Sequence, residues 1–367
     1  MDCVEYCGRR GGYFGRGSRF AVEFIAVGFL PAWMRWPIVA LALAVAGCAT
    51  PPAPPTPVVV EQPPAGRVLA RNDRFIIYEP DAKDSLRSLA RAYLGDESKD
   101  WMIAEFNGIA SVKSGEALVI PLRQLNPAGI QEGGYQTVPI LVYHRFGAKE
   151  DKMVVSPATF AAQLDYLARN DYRVIRLAEL LDFLDGKQAL PKRSVVITID
   201  DGYASNYHHA FPLLKKYGFP ATIFLYTDFA GAADALTWGQ MAEMLASGLI
   251  DIQPHSKTHA NLSERLPGES DVAYRDRLDG EIAVPRDLLR RRLSVQSVSY
   301  AYPYGDANDV VIERIAKAGY RLAVTVNPGG NPAFGQPLLL RRTMIFGDQN
   351  LEQFKARLQV FNNVDTR

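Results

Sequence analysis

From residue 138 to residue 345, short apolar runs alternate with segments whose apolar residues recur every three or four positions. The runs "VPILVY" (138–143), "RVIRL" (173–177), "SVVITI" (194–199), "ATIFLY" (221–226), "LIDIQ" (249–253), "SVSYAY" (297–302), "RLAVTV" (321–326) and "LLLRRTMI" (338–345) read as strands. Between them, "FAAQLDYLARN" sets Phe160, Leu164 and Leu167 on one helical face, while "FPLLKKYGF" and "VIERIAKAGY" each carry a closing Gly. Strands that alternate with helices build a parallel sheet, and seven or eight of them over about 225 residues favour an α/β barrel, distorted or incomplete. In such folds the chemistry gathers where strands end. Sites are therefore expected just after Tyr143, Ile199, Gln253 and Tyr302.

A smaller unit precedes the barrel. "RFIIY" (74–78) is strand-like, "DSLRSLARAYLG" (84–95) sets Leu86, Leu89, Ala90 and Tyr93 at helical spacing, "DWMIAEFNG" (100–108) is a second helix, and "ALVIP" (117–121) returns as a strand. The resulting βααβ unit, residues 73–122, is close to the lower size limit for independent folding. In "DSLRSLARAYLGD", "IAEFNG" and "SGEALVIP" it resembles a LysM domain. That resemblance implies binding of N-acetylglucosamine-containing glycans, or a packing module that has lost this activity. Residues 123–136 read as a connector, and "PPAPPTPVVVEQPPAG" (51–66), within a linker spanning 48–72, as an extended spacer.

The N-terminus departs from this globular pattern. "MRWPIVALALAVAGCAT" (34–50) has an Arg, a short apolar stretch and then "VAGC" ending at Cys48. It reads as a signal segment too short to span a bilayer, with a short anchor helix as the alternative. "VAGC" resembles a bacterial lipobox, which implies lipidation at Cys48. Residues 1–33 lack signal character, so Met34 is the expected start. The expected location is the cell envelope, as an exported, membrane-anchored lipoprotein facing the periplasm from the outer membrane. No Cys follows Cys48, so the mature domains use neither disulfides nor thiolate catalysis. The composition, 48% hydrophobic and 22% charged over 367 residues, supports a large core. A net charge of +1, with "LLRRRL" (288–293) as the one basic cluster, argues against nucleic acid as a partner.

The candidate chemistry falls at the expected strand ends. His144 follows the first run, "DDG" (200–202) the third, "HSKTH" (255–259) the fifth and "PYG" (303–305) the sixth. Of five His in the chain, three sit at strand ends; His208 and His209, in "NYHHAF", read as exposed helix residues. His255 and His259 are four apart, so a helical turn would present both to one metal. "HSKTH" lacks the Glu of HExxH, and the third ligand must come from elsewhere. Asp201 can complete a two-His, one-carboxylate set, which leaves Asp200 to take a proton from water. Gly202 would let the backbone turn both carboxylates inward. In isolation an Asp-Asp-Gly is more often a turn.

In this order the motifs resemble those of polysaccharide deacetylases of the NodB homology type, carbohydrate esterase family four, over residues 137–362. "TIDDG" matches T-F-D-D-G, "HSKTH" matches H-[ST]-x-x-H, and "AYPYG" matches the R-x-P-Y-G region. The resemblance implies that Asp200 is the catalytic base and that Asp201, His255 and His259 hold a divalent metal, zinc being the expected ion. The Tyr304 N–H would serve the oxyanion. The family Arg is replaced by Ala301, for which Arg342 is the expected substitute, with Arg341 second. The family's late His is absent, and "PILVYHRF" fits a subgroup with an early acid, here His144. Tyr143, Tyr203, Trp238 and Pro303 are the expected substrate-lining residues. The implied activity is removal of N-acetyl groups from a cell-wall or extracellular polysaccharide. The alternatives are an O-acetyl esterase of xylan type and a non-catalytic glycan-binding lipoprotein.

Overall fold

The computed structural model describes residues 63–149 and 151–364. The leader, the signal segment with Cys48 and most of the Pro-rich stretch lie outside the described residues.

Four parallel strands run side by side in the order Ile250–Pro254, Ala221–Leu225, Ser194–Asp201, Val138–Tyr143, and Thr343–Met344 joins the last of these in parallel. Ser194–Asp201 is buried along its whole length, as expected of a central parallel strand covered on both faces. Arg173–Ile175 pairs with its first half and Ala221–Leu225 with its second. A separate parallel pair, Ser299–Ala301 with Leu322–Val324, extends the ring, and a bridge between Val324 and Leu340 links it back to the chain entering Thr343–Met344. The helices Pro157–Arg169, Phe211–Tyr217, Trp238–Ala246, Asp271–Leu293 and Asp309–Lys317 alternate with the strands.

The ring is broken between Ile250–Pro254 and Ser299–Ala301, where no ladder forms. A side chain fills the break. Gln253 Oε1 accepts the backbone N–H groups of Val298 and Ser299, each at 3.0 Å, and its Nε2 donates to Asp251 at 3.0 Å. The incomplete barrel expected from the strand count is therefore a ring with one seam closed by a buried glutamine.

The small unit differs from its expected form at its start. Arg67–Arg71, within the stretch read as linker, is a strand that pairs antiparallel with Phe75–Glu79, giving a three-stranded sheet with Leu118–Pro121. An apolar alternation does not announce this strand, because all five of its residues are exposed. The two helices, Leu86–Leu94 and Asp100–Asn107, end at Gly95 and Gly108, which have φ 73° and 64°. The connector is also structured: Ile130–Gln131 and Gly134–Gln136 form a hairpin that pairs with Phe361–Asn363 near the other end of the chain.

Three contacts fasten the small unit and the connector that follows it to the ring. Asp100 pairs with Arg173, Glu105 Oε1 accepts Lys192 N–H at 2.8 Å, and Gln124 Oε1 accepts Ala189 N–H at 2.6 Å. Arg173 opens its strand and Lys192 precedes Ser194–Asp201, so the contact lies at the N-terminal ends of the strands. Asp200 and Asp201 lie at the other end.

Replacing Gln253 by Leu leaves two N–H groups at the seam without an acceptor, each costing about 1–3 kcal/mol. The expected loss of roughly 2–4 kcal/mol would be read by urea unfolding. A loss under about 0.5 kcal/mol would show that the seam does not depend on Gln253.

Candidate active site

Neighbouring side chains on a regular strand point to opposite faces. Asp200 and Asp201 nonetheless both face His255, whose Nε2 lies 3.9 Å from Asp200 Oδ2 and 3.8 Å from Asp201 Oδ1. The alternation is broken at Asp201, which takes φ 72° while still paired in register with Leu225. Gly202 continues the turn at φ 81°, and a Cβ there would fall 2.3 Å from Leu225 Cδ1. The glycine is required by both conformation and space.

Asp200 is 2% exposed and belongs to Arg342, which is completely buried. Arg342 donates Nη1 to Oδ1 at 2.7 Å and Nη2 to Oδ2 at 2.6 Å, while its Nε donates to the Thr325 carbonyl at 2.8 Å. Burial by itself raises the pKa of Asp200; the Arg342 cation, followed by His255, outweighs it and holds the carboxyl at about 2. Ala301 has a different part. Its carbonyl accepts from His255 Nδ1 at 2.8 Å, and because a carbonyl can only accept, the proton is on Nδ1 and the Nε2 lone pair is free. Burial lowers the pKa of His255 and so favours that neutral ring, although Asp200 and Asp201 pull the other way.

Asp201 Oδ1 is buried and accepts no hydrogen bond. His259 Nε2 approaches it at 3.3 Å and His255 Nε2 at 3.8 Å. One ligand atom from each of the three residues lies within 4.8 Å of the others. An orphaned carboxylate oxygen facing two imidazoles is a costly arrangement without a cation and a natural one with it. The residues present fit a divalent metal.

The "HSKTH" stretch reaches this position as a loop, not as the helical turn expected from its spacing. Ser256 and His259 have φ 69° and 65°, which no right-handed turn contains. Ser256 Oγ accepts the His259 N–H at 2.8 Å, and Glu281 accepts the N–H groups of Lys257 and Thr258. Glu281 did not register among the sequence candidates. The available signal is an acidic residue among the buried positions Tyr274, Leu278, Ile282, Pro285 and Leu289 of one helix.

His144 is half-buried, and burial lowers its pKa while Asp200 and Asp201 raise it. Pro303 is buried in the Pro303–Gly305 turn, where Tyr304 takes φ 62°, is 60% exposed and sets its ring 4.9 Å from that of His259. Tyr203 receives Arg145 over its ring at 3.9 Å, and Phe229 and Tyr226 continue an aromatic row to His259. Two expected lining residues are elsewhere. Tyr143 is fully buried, with its hydroxyl donating to Gln163 at 2.9 Å among Phe146 and Phe160, because it alternates with His144 on the strand. Trp238 opens its helix against the core with Arg292 over its ring, and makes no ring contact with the triad among the described residues. His208 and His209 are exposed on a π-helical turn, Asn206–Ala210.

Residues 187–323 match the family described as polysaccharide deacetylase. Over that stretch the chain is similar to polysaccharide deacetylases. The alignment with the Staphylococcus epidermidis poly-β-1,6-N-acetyl-D-glucosamine N-deacetylase has 34% identity over 191 residues. It covers 49% of this chain and 64% of that relative, less than two thirds of its length. Among solved structures, the Streptococcus pyogenes deacetylase PplD in complex with acetate superposes with TM-score 0.55 at 28% identity, over 61% of this chain and 98% of that one. IcaB from Ammonifex degensii gives TM-score 0.55 at 28% identity, over 62% and 99%. All four motifs fall at or beside the strand ends of the ring.

Removing the guanidinium with Arg342→Met strands the buried Asp200, which should destabilise the fold by about 3–5 kcal/mol at pH 7. In the native protein the depressed pKa contributes stability above the ordinary aspartate value that is lost as pH falls through about 2. In the variant burial is opposed only by the neighbouring histidines and the pKa rises, so the deficit should shrink as pH falls from 7 toward 4. Chemical unfolding at both pH values checks this; a deficit that is small at pH 7, or that grows on acidification, contradicts the pairing.

Proposed function

We propose that this chain is a metal-dependent deacetylase that hydrolyses N-acetyl groups of N-acetylglucosamine-type residues in a cell-wall or extracellular polysaccharide. The observation that carries the reading is the orphaned Asp201 Oδ1 facing His255 and His259, beside a second carboxylate held ionised by Arg342. The relatives' names agree with an N-acetylated substrate, and one neighbour was solved with acetate, the expected product. A divalent cation held by Asp201, His255 and His259, zinc being the expected ion, would supply Lewis-acid activation of water and of the acyl oxygen.

Asp200 then accepts the proton of the attacking water. Arg342 fixes its two oxygens and keeps it ionised, so it is ready as a base at every working pH. His144, within the field of both carboxylates, delivers a proton to the departing amine nitrogen. The Tyr304 N–H, in a turn bent to φ 62°, stabilises the oxyanion of the tetrahedral intermediate. Tyr203, Tyr304 and the aromatic row beside His259 offer faces for sugar rings.

The small unit is read as a LysM-like glycan-binding module, supported by two helices packed on one sheet and ended by left-handed glycines. Its attachment at the far end of the strands would engage polymer away from the reacting acetyl group. Lipidation at Cys48 and envelope attachment rest on the sequence "VAGC" and the Pro-rich spacer.

Acetate release from poly-β-1,6-N-acetylglucosamine, peptidoglycan, chitin oligomers and O-acetylated xylan, with and without a chelator, tests the reading. Chelation should abolish release, and Asp200→Asn should lower it by about 10²–10⁴-fold with the cation still bound. Release that survives both changes refutes the proposal, and release confined to O-acetylated xylan reassigns the site as an esterase.

A further inference from the structure

Glu281 stands apart in its setting. It lies mid-way along Asp271–Leu293, is 8% exposed, and shares its buried stripe with Tyr274, Leu278, Ile282 and Leu289. Among the described residues no Lys or Arg forms an ion pair with it. A carboxylate so placed is tolerable only if its oxygens are otherwise satisfied. They are satisfied by the loop that carries the two histidines.

Oε2 accepts the backbone N–H of Lys257 at 3.0 Å and that of Thr258 at 2.9 Å, and Oε1 accepts the Thr258 hydroxyl at 2.8 Å. The left-handed conformation of Ser256, φ 69°, turns these successive N–H groups toward one side, forming a concave anion cradle. Glu281 fills that cradle from a neighbouring helix. On its other side the same loop is tied to residues 227 and 228: Thr227 N–H donates to the Ser256 carbonyl at 3.3 Å and Asp228 N–H to the Lys257 carbonyl at 2.9 Å. The loop is therefore clamped between a helix and a strand-end turn, with His255 entering it and His259 leaving it.

His259 needs this clamp more than His255 does. His255 is fixed by its own bond to the Ala301 carbonyl and is 3% exposed. His259 has a quarter of its side chain exposed, holds φ 65°, and has its backbone N–H tied to Ser256 Oγ, inside the same loop. Its aim at Asp201 depends on the loop keeping its left-handed bends. Such bends cost energy in non-glycine residues and persist only where surroundings over-determine them.

We propose that Glu281 is a positioning residue for the cation site: by filling the cradle of Lys257 and Thr258 it sets the loop that aims His259 at Asp201, touching neither residue. This inference rests on the reading of Asp201, His255 and His259 as cation ligands. Groups that orient metal ligands change affinity by about 10–100-fold when removed.

The test is Zn²⁺ affinity of the metal-stripped full chain, measured by competition with a chromophoric chelator, without any acetate assay. Glu281→Ala should weaken Zn²⁺ binding by about 10–100-fold in protein that retains its native circular dichroism, and should speed hydrogen exchange at Lys257 and Thr258. Glu281→Gln, which keeps an acceptor at full length, should stay within about threefold of the wild type, and Glu281→Asp, one methylene short, should lose about tenfold. If Glu281→Ala does not fold, the Gln and Asp variants decide: equal affinities in the two overturn the inference. Folded Glu281→Ala with affinity within twofold of the wild type also overturns it, while leaving the ligand assignment intact. A wild-type chain that binds no Zn²⁺ overturns both.

Discussion

The bidentate pair of Asp200 and Arg342 is the interaction on which the rest of the site depends. A carboxylate at the inner end of a buried strand would raise its pKa and neutralise itself unless a cation lay against it. Arg342 supplies that cation from the segment that closes the ring against Val138–Tyr143, so the residues that close the barrel also bring the cation to Asp200. Two further donors of the guanidinium are taken up by Thr198 and the Thr325 carbonyl, which anchor the group from a second side. Burying such a pair gains little net stability. Its product is a carboxylate in one place and one charge state.

Around this pair the backbone is bent where the chemistry needs it. Among the described residues six non-glycine positions have left-handed φ, and four of them, Asp201, Ser256, His259 and Tyr304, are at the site. The bend at Asp201 brings a second carboxylate to the face that strand alternation would deny it. The bends at Ser256 and His259 replace the helical turn that the HxxxH spacing suggests, and Glu281 with Ser256 Oγ holds them. Concentration of strain at one place, with hydrogen bonds in place to hold it, marks a functional site more strongly than any one motif.

The seam in the ring belongs to the same design. A complete ladder between Ile250–Pro254 and Ser299–Ala301 would occupy the Ala301 carbonyl with a backbone N–H. The open seam gives that carbonyl to His255 Nδ1 and fixes the tautomer that frees Nε2. Gln253 closes the gap two residues earlier. The small side chain of Ala301, where the resemblance leads one to expect Arg, has no bearing on this contact, because the backbone makes it.

Much of this was legible in the chain itself. Period-two and period-3.6 apolar patterns mark most of the strands and helices, since burial forces apolar residues onto the hidden faces. The order of "DDG", "HSKTH" and "PYG" after successive strands places the candidate chemistry at one end of a parallel sheet. Local signals could not locate Arg67–Arg71, an exposed edge strand with no apolar face, or see that Tyr143 faces the helices while His144 faces the site. The sequence alone determined which residue types are available and at which strand ends, because those follow from local periodicity. Tertiary structure decided which of them meet. Arg342 reaches Asp200 from 142 positions away, Glu281 reaches Thr258 from 23, and Ala301 reaches His255 from 46. Such contacts depend on ring closure and backbone bends, which no local pattern encodes.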